Sequence, residues 1–170
     1  VGDGRVDAAA LGQGVPRDAG AAWDFADVRD HYLEEVFGVD PVDLRITDPV
    51  RYLELSRAVT GHVMAETMGE WRRAASVCRG ALVLWLRDIA PGSGWGILDR
   101  SGEPKAAYPP LRRALAPVAV WMTDEGLGGI RIHAANDSPR PLEARLRVSL
   151  YAPDAEAPLR EGAMPVKVPA

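Results

Sequence analysis

The apolar positions between residues 23 and 37 recur at intervals of three and four, which predicts a helix with one apolar face. Asp24 suits the N-cap of this helix, and Asp27 adds negative charge to the first turn, where the helix dipole favours it. Gly38 is suited to end the helix, and Pro41 follows shortly after. The apolar face consists of Phe25, Val28, Tyr32 and Val36.

A second and longer helical pattern extends from residue 49 to residue 73. Asp48 suits its N-cap and Pro49 its first helical position. Its apolar residues cover more than half of the circumference, which predicts that the helix packs on two sides. Gly61 and Gly69 would each lower its stability by about 1 kcal/mol relative to alanine if they were exposed. The two apolar stripes are Tyr52, Leu55, Val59 and Val63, and Leu53, Met64, Met68 and Trp71.

Residues 81–86 form a short run that is apolar at both alternating positions and follows Gly80. This pattern is typical of a strand buried on both sides, as in a parallel sheet covered by helices. A Pro/Gly-rich loop with polar and aromatic residues comes next, and a short helix is predicted at residues 110–115, with Pro117 as its stop. Helix, buried strand and polar loop in this order indicate the α/β class, in which loops after the strands of a barrel build the active site.

From Val118 the apolar period changes to two, which predicts strands. Residues 130–134 and 142–150 are expected to pair as antiparallel strands with one apolar face, joined by a turn at residues 136–139. Residues 166–168 can add one more strand. Because a sandwich needs about seven strands, the chain is expected to stop inside an antiparallel domain.

Composition indicates a globular protein and excludes several partner classes. The 170 residues are 47% hydrophobic and 26% charged, and the net charge of −4 gives no cationic field for nucleic acid. No apolar run approaches the roughly 20 residues that span a membrane. Cys78 is the only cysteine, so no disulfide framework is expected and a cytoplasmic location is predicted. Residues 1–22, rich in Gly and Ala, are expected to form a loop or connection.

Four segments carry a resemblance to a known family. GALVLWLRD, PGSGWGILD, GEPKAAY and LRRALAP resemble the end of the catalytic barrel in glycoside hydrolase family 2, and most of all its β-mannosidase branch. WDFADVRDHYLEEVFGVDP and RYLELSRAV are similar to the connection before the last strand in bacterial members, so the likeness covers roughly residues 20–151. It implies that residues 23–117 are the C-terminal part of a (β/α)8 barrel, with residues 81–86 as the eighth strand. Residues 118–170 would then begin an immunoglobulin-like sandwich.

The resemblance also implies an activity. Members are retaining β-glycosidases in which one glutamate protonates the leaving oxygen and a second, about 5 Å away, attacks the sugar carbon. Residues 1–79 match neither glutamate motif, so both catalytic glutamates are expected upstream of this chain, which alone should be inactive. The implied partners are a carbohydrate substrate and the rest of the parent chain, with no cofactor. The histidines have no metal-ligand spacing. The alternative is a non-catalytic carbohydrate-binding or interaction module.

Trp85, Asp88 and Trp95 are the candidate substrate-binding residues. Each tryptophan can stack on a sugar ring or pack within the protein. Asp88 can hydrogen-bond a hydroxyl or orient a neighbour, or else pair with Arg87 or cap its own loop. The family usually has tryptophan at the positions of Leu84 and Ala90, where those aromatics wall the sugar site. Because neighbouring strand residues face opposite sides, Trp85 does not simply take over the role of position 84. Asp99 and Lys105 are expected to hold the turn around Gly102.

Overall fold

A computed structural model describes Gly20 and residues 22–78, 80–91 and 94–170. The loop expected at residues 1–22 therefore lies outside the described residues, apart from Gly20 and Ala22. The described chain divides into two compact units. One comprises the described residues up to Arg72 together with Ser76–Ala114, and the other comprises Arg73–Ala75 and Leu115–Ala170. The first unit contains all the described α-helices together with the irregular segment that precedes the last of them, and the second contains the antiparallel strands.

The first helix, α1, runs from Phe25 to Phe37 and has the predicted ends. The carboxylate of Asp24 accepts hydrogen bonds from the amides of Ala26 at 2.8 Å and Asp27 at 3.3 Å. The side chain of Asp27 in turn accepts from the amide of Asp24 at 2.7 Å, which completes a capping box. Gly38 ends the helix in the left-handed conformation, with φ of 61°. The prediction for α1 is confirmed to within two residues.

A short helix that the pattern did not predict, α2, spans Pro41–Thr47. Asp40 is its N-cap and accepts from the amides of Val42 at 2.8 Å and Asp43 at 3.0 Å. Pro41, which suggests a helix stop when read with Gly38, instead occupies the first turn of α2, where its missing N–H is tolerated.

The long helix α3 spans Pro49–Arg72 and lies at the centre of the helical unit. Asp48 accepts from the amide of Arg51 at 3.0 Å, as expected of its N-cap. Tyr52 and Val59 of α3 form a core with Leu33 of α1, and all three are at most 3% exposed. The helix contacts α1, α2 and the last helix of the unit, α4, at Tyr108–Ala114. These contacts agree with the prediction that the long helix packs on more than one side. The helix α4 begins two residues earlier than predicted.

Residues 81–86 depart from the prediction of a strand buried on both sides. They contain no regular strand, and Leu82 is 98% exposed and Leu84 65% exposed. The peptide bond between Leu84 and Trp85 is cis. Residues 81–86 do not form a buried strand here because a central parallel strand needs neighbouring strands along both edges and helices on both faces. The described chain offers it one neighbouring segment, residues 95–98.

The second unit holds four strands in two separate antiparallel pairs. β1 at Val118–Asp124 pairs with β2 at Ile130–Asn136, and β3 at Leu142–Leu150 pairs with β4 at Arg160–Val168. The predicted pairing of β2 with β3 is therefore wrong. A 3-10 turn at Gly126–Gly128 reverses the chain between β1 and β2, so β2 finds its partner before β3 is reached.

Parts of the apolar faces of these strand pairs are open to solvent. On β1 and β2, Val120, Met122 and Ile130 share one face, and each is more than half exposed. On β3 and β4, Leu150 and Met164 are also more than half exposed. Faces of this kind are normally covered by a second sheet, and the described residues cover them only in part.

Candidate functional site

Two short segments run side by side in the same direction and end at a common edge. The amide of Leu98 donates to the carbonyl of Leu86 at 3.0 Å, and the amide of Asp88 donates to the carbonyl of Leu98 at 3.1 Å. Arg87 and Leu98 accordingly form a parallel bridge. Because both segments end at this edge, the loop after residue 88 and the turn after residue 98 begin next to each other.

The carboxylate of Asp88 is held almost entirely inside the loop. Its side chain is 6% exposed, forms an ion pair with the ammonium group of Lys105, and accepts a hydrogen bond from the amide of Gly96 at 2.7 Å. The same ammonium group donates to the carbonyl of Gly94 at 3.0 Å. Arg87 instead donates to the carbonyl of Arg100. Of the alternatives for Asp88, the loop cap is present, and its ion-pair partner is Lys105 rather than Arg87.

Glycine at positions 94 and 96 allows this close approach. A Cβ atom at either position would lie 2.5 Å from Oδ1 of Asp88. At Gly96 it would also lie 2.6 Å from the backbone nitrogen of Asp88 and from the carbonyl oxygen of Leu98, neither of which can move freely. The loop can therefore close around the Asp88 carboxylate only because both positions lack a side chain.

Trp95 lies between these glycines, and its ring is partly buried. The ring packs on Phe25 at the start of α1, with centroids 5.9 Å apart and planes tilted by 35°. Its indole nitrogen is buried and has no hydrogen-bond partner in the part of the chain that the structure describes. Trp85 is 46% exposed, and its amide donates to the carbonyl of Trp95 at 3.4 Å. The two predicted aromatic residues are thus neighbours, and packing already occupies part of the Trp95 ring.

A cleft of about 630 Å³ opens at the shared edge of the two segments. Of the three predicted site residues, Asp88 lines it, and Trp85 and Trp95 do not. The lining residues are Arg87, Asp88, Ala90, Pro91, Asp99, Arg100 and Ser101. A cleft with guanidinium, hydroxyl and carboxylate groups at its wall can hydrogen-bond a polyhydroxylated ligand.

Asp99 organises the turn on one side of the cleft. Its carboxylate accepts from the hydroxyl of Ser101 at 2.6 Å and from the amide of Glu103 at 2.9 Å. The Ser101 hydroxyl, followed by the Glu103 amide, lowers the pKa of Asp99 below its ordinary value. The expectation that Asp99 holds the turn around Gly102 is confirmed. The side chain of Lys105, expected to do the same, pairs with Asp88 instead.

The described part of the site contains no pair of carboxylates suited to glycoside hydrolysis. Asp88 is paired with a lysine, and Asp99 is bound by its own turn, so neither is placed as a free acid or nucleophile. Among the residues with described structure, no group of three or more His, Cys, Asp or Glu side chains is arranged to hold a metal ion. None of the described helices combines the length and the apolar character needed to cross a membrane.

Comparisons with known proteins agree with the resemblance seen in the sequence. The chain is 37% identical to β-mannosidase B of Aspergillus niger over 82 residues, and 30% and 34% identical to the β-mannosidases B of Thermothelomyces thermophilus and Aspergillus terreus over the same length. Each match covers 45–46% of this chain and 10% of the relative, so the matched region is about a tenth of each curated relative. No family model matches the chain.

The fold has a solved counterpart as well. A β-D-mannosidase from Dictyoglomus thermophilum superimposes with a TM-score of 0.55 and 18% identity, over 71% of this chain and 15% of that one. The chain is therefore similar in sequence and in fold to part of β-mannosidases.

Proposed function

We propose that this chain is part of a retaining glycosidase of glycoside hydrolase family 2 that hydrolyses β-mannosides. The observation that carries the proposal is the 82-residue similarity to three proteins named β-mannosidase B, at 30–37% identity. The shared fold with a bacterial β-mannosidase supports the same assignment independently of sequence identity. The substrate class is a carbohydrate with a terminal β-linked mannose.

In this proposal residues 23–117 are the end of a (β/α)8 barrel and residues 118–170 the start of an immunoglobulin-like sandwich. The division of the chain near Ala114 supports this boundary. The apolar, exposed residues at 82, 84 and 86 are what a last barrel strand presents when its neighbouring strands and helices lie elsewhere in the protein. The partly open apolar faces of β1–β2 and β3–β4 are likewise what an incomplete sandwich presents.

The chain contributes a wall of the active site in this proposal, and the reacting groups come from elsewhere. Barrel enzymes build their sites from loops at the carboxyl ends of the strands. In this proposal the cleft beside Asp88, where two short parallel segments end, belongs to that edge of the barrel. The two catalytic glutamates belong to strands upstream of residue 1. Asp88 lines the cleft with its carboxylate turned into its own loop, and Trp85 and Trp95, which do not line it, are the residues that we propose to stack on the sugar. No cofactor takes part, since the two glutamates supply the nucleophile and the proton.

The test is an assay of the full-length protein and of the 170-residue chain on 4-nitrophenyl β-glycosides of mannose, galactose, glucose and glucuronic acid. The full-length protein is expected to hydrolyse the mannoside with the highest kcat/KM, and the chain alone is expected to be inactive. A preference for the galactoside or glucuronide would contradict the β-mannosidase assignment. Sugar binding without hydrolysis by the full-length protein would instead support a carbohydrate-binding or interaction module.

A further inference from the structure

We propose that Asp88 and Lys105 act together as positioning residues for Trp95, through a single ion pair that fixes the backbone on both sides of that tryptophan. The inference rests on the proposed function insofar as Trp95 borders the substrate. The pair itself is a feature of the described loop. Neither side chain needs to contact the substrate, because their effect is transmitted through Trp95.

The first step of the argument is that the pair binds both peptide groups that flank Trp95. The amide of Gly96 donates to Asp88 at 2.7 Å, and the carbonyl of Gly94 accepts from Lys105 at 3.0 Å. These two bonds fix the chain immediately before and after Trp95. The amide of Trp85 adds a third contact at the carbonyl of Trp95 itself, at 3.4 Å.

The second step is that the pair depends on both charges. A carboxylate whose side chain is 6% exposed is stable only when it is paired and hydrogen-bonded. Without the ammonium group of Lys105, Asp88 would be driven towards water, and the cleft that it lines provides that route. Its departure would release the Gly96 amide, while the Gly94 carbonyl would lose its donor at the same time.

The third step is that Lys105 is itself well placed to hold the loop. Its backbone amide donates to the carbonyl of Ile97 at 3.0 Å, and its carbonyl accepts from the amide of Tyr108 at the start of α4, at 2.9 Å. The lysine is therefore anchored to a helix, and its side chain is 27% exposed. The ring of Trp95 is supported from another direction by Phe25 of α1.

The experiment uses the full-length protein labelled with 5-fluorotryptophan and compares Lys105→Met, Lys105→Arg and Asp88→Asn. The Trp95→Phe variant assigns the fluorine resonance of Trp95. Lys167→Met is the matched control, because Lys167 is the other lysine of the chain and forms an exposed ion pair with Glu143 at 3.4 Å. Activity on an aryl β-mannoside is measured for each variant, alone and combined with Trp95→Phe.

Lys105→Met is expected to shift or split the Trp95 resonance and to raise KM about tenfold, with a smaller change in kcat. Lys105→Arg should give a Trp95 resonance and a KM closer to those of the wild type than Lys105→Met does, since a guanidinium group can also pair with a carboxylate. Asp88→Asn should have an intermediate effect because its amide oxygen can still accept from Gly96. Lys105→Met should add little to Trp95→Phe, and Lys167→Met should change nothing.

An unchanged Trp95 resonance in Lys105→Met would overturn the positioning role. The positioning role would also be overturned if Lys105→Met lowered activity by the same factor in the wild-type protein and in the Trp95→Phe variant. The lysine would then act on catalysis by a route that does not pass through Trp95. If the full-length protein hydrolyses no β-mannoside, the proposed function fails. The fluorine spectra still decide whether the pair positions Trp95, so the two failures are distinguishable.

Discussion

A Cβ atom on Gly61 would lie 2.9 Å from Cγ of Pro110, so α3 and α4 approach each other closely at this glycine. It would also lie 3.3 Å from the carbonyl oxygen of Ala106. Gly61 is buried, as is Gly69 further along the helix. The penalty expected for an exposed helical glycine therefore does not apply, because the absence of a side chain is what lets the two helices approach.

We predict that Gly61→Ala destabilises the helical unit. The added methyl group must displace Pro110, and overpacking of this kind destabilises a protein by about 1–3 kcal/mol, against a gain of about 1 kcal/mol in helix propensity. Hydrogen exchange in the full-length protein should show faster exchange across α4. Gly162→Ala is the control, because a Cβ there meets nothing within 4 Å. Unchanged or slower exchange in Gly61→Ala would contradict the packing described.

Tyr52 carries a second prediction. Its hydroxyl donates to Asp30 at 2.7 Å and accepts from Arg29 and, at 3.0 Å, from Arg45, so it joins the first three helices. Burial, followed by the hydrogen bond to Asp30, raises the pKa of Tyr52. Tyr52→Phe is expected to lower the free energy of unfolding by about 1.5–3 kcal/mol, as loss of a hydrogen bond to a charged group does.

The measurement is urea unfolding of the full-length protein, with hydrogen exchange to locate the change in α1 and α2. The matched control is Tyr32→Phe, because Tyr32 is on α1 but 37% exposed. Equal effects of the two substitutions would show that the buried hydroxyl network contributes nothing specific.

The uncovered apolar residues of the proposed barrel strand give a third prediction. Leu82 is 98% exposed in this chain and Leu127 is fully exposed in the turn between β1 and β2. If the rest of the protein completes the barrel around residues 81–86, Leu82→Lys should abolish folding or lower the unfolding midpoint of the full-length protein strongly, since an unpaired charge would be buried. Leu127→Lys should be tolerated. Equal tolerance of both would contradict the barrel assignment.

Glu125 gives the fourth prediction, on pH. The Thr123 hydroxyl, followed by the charges of Arg73, Arg131 and His133, lowers the pKa of Glu125 below its ordinary value of 4.5. A carboxyl with a lower pKa in the folded state stabilises the fold above its unfolded pKa, and that contribution is lost as the pH falls through the folded pKa. Wild-type stability should therefore decline more steeply below pH 4.5 than that of Glu125→Gln. Parallel urea midpoints for the two proteins across that range would contradict this.

The parts of the fold that the sequence predicts correctly depend on local signals. Asp24, Asp48 and Gly38 mark helix ends because capping involves residues only a few positions apart. Pro41 misleads because proline suits both the end of one helix and the first turn of the next. The strands are recognised by their alternation, but β2 pairs with β1 rather than β3, and pairing depends on partners that alternation does not identify.

The sequence likewise predicts which residues belong to the candidate site but not how they pair with one another. Asp88, Trp85 and Trp95 are singled out by residue type and by position after an apolar run. The pairing of Asp88 with Lys105 and the packing of Trp95 on Phe25 join distant parts of the chain, so no local pattern encodes them. The glycines on either side of Trp95 are the signal in the sequence that points to this arrangement, because glycine often marks a place where another group approaches the backbone closely.

The most direct test of the central claim is covalent labelling of the full-length protein with 2-deoxy-2-fluoro-β-mannosyl fluoride. Fluorine at C2 slows both steps of a retaining glycosidase, and the fluoride leaving group lets the glycosyl-enzyme accumulate. The account predicts one 2-deoxy-2-fluoromannosyl adduct per protein, formed with loss of the anomeric fluoride, on a glutamate in a peptide outside these 170 residues. An adduct on a residue within this chain, or turnover of β-mannosides with inversion at the anomeric carbon, would contradict it.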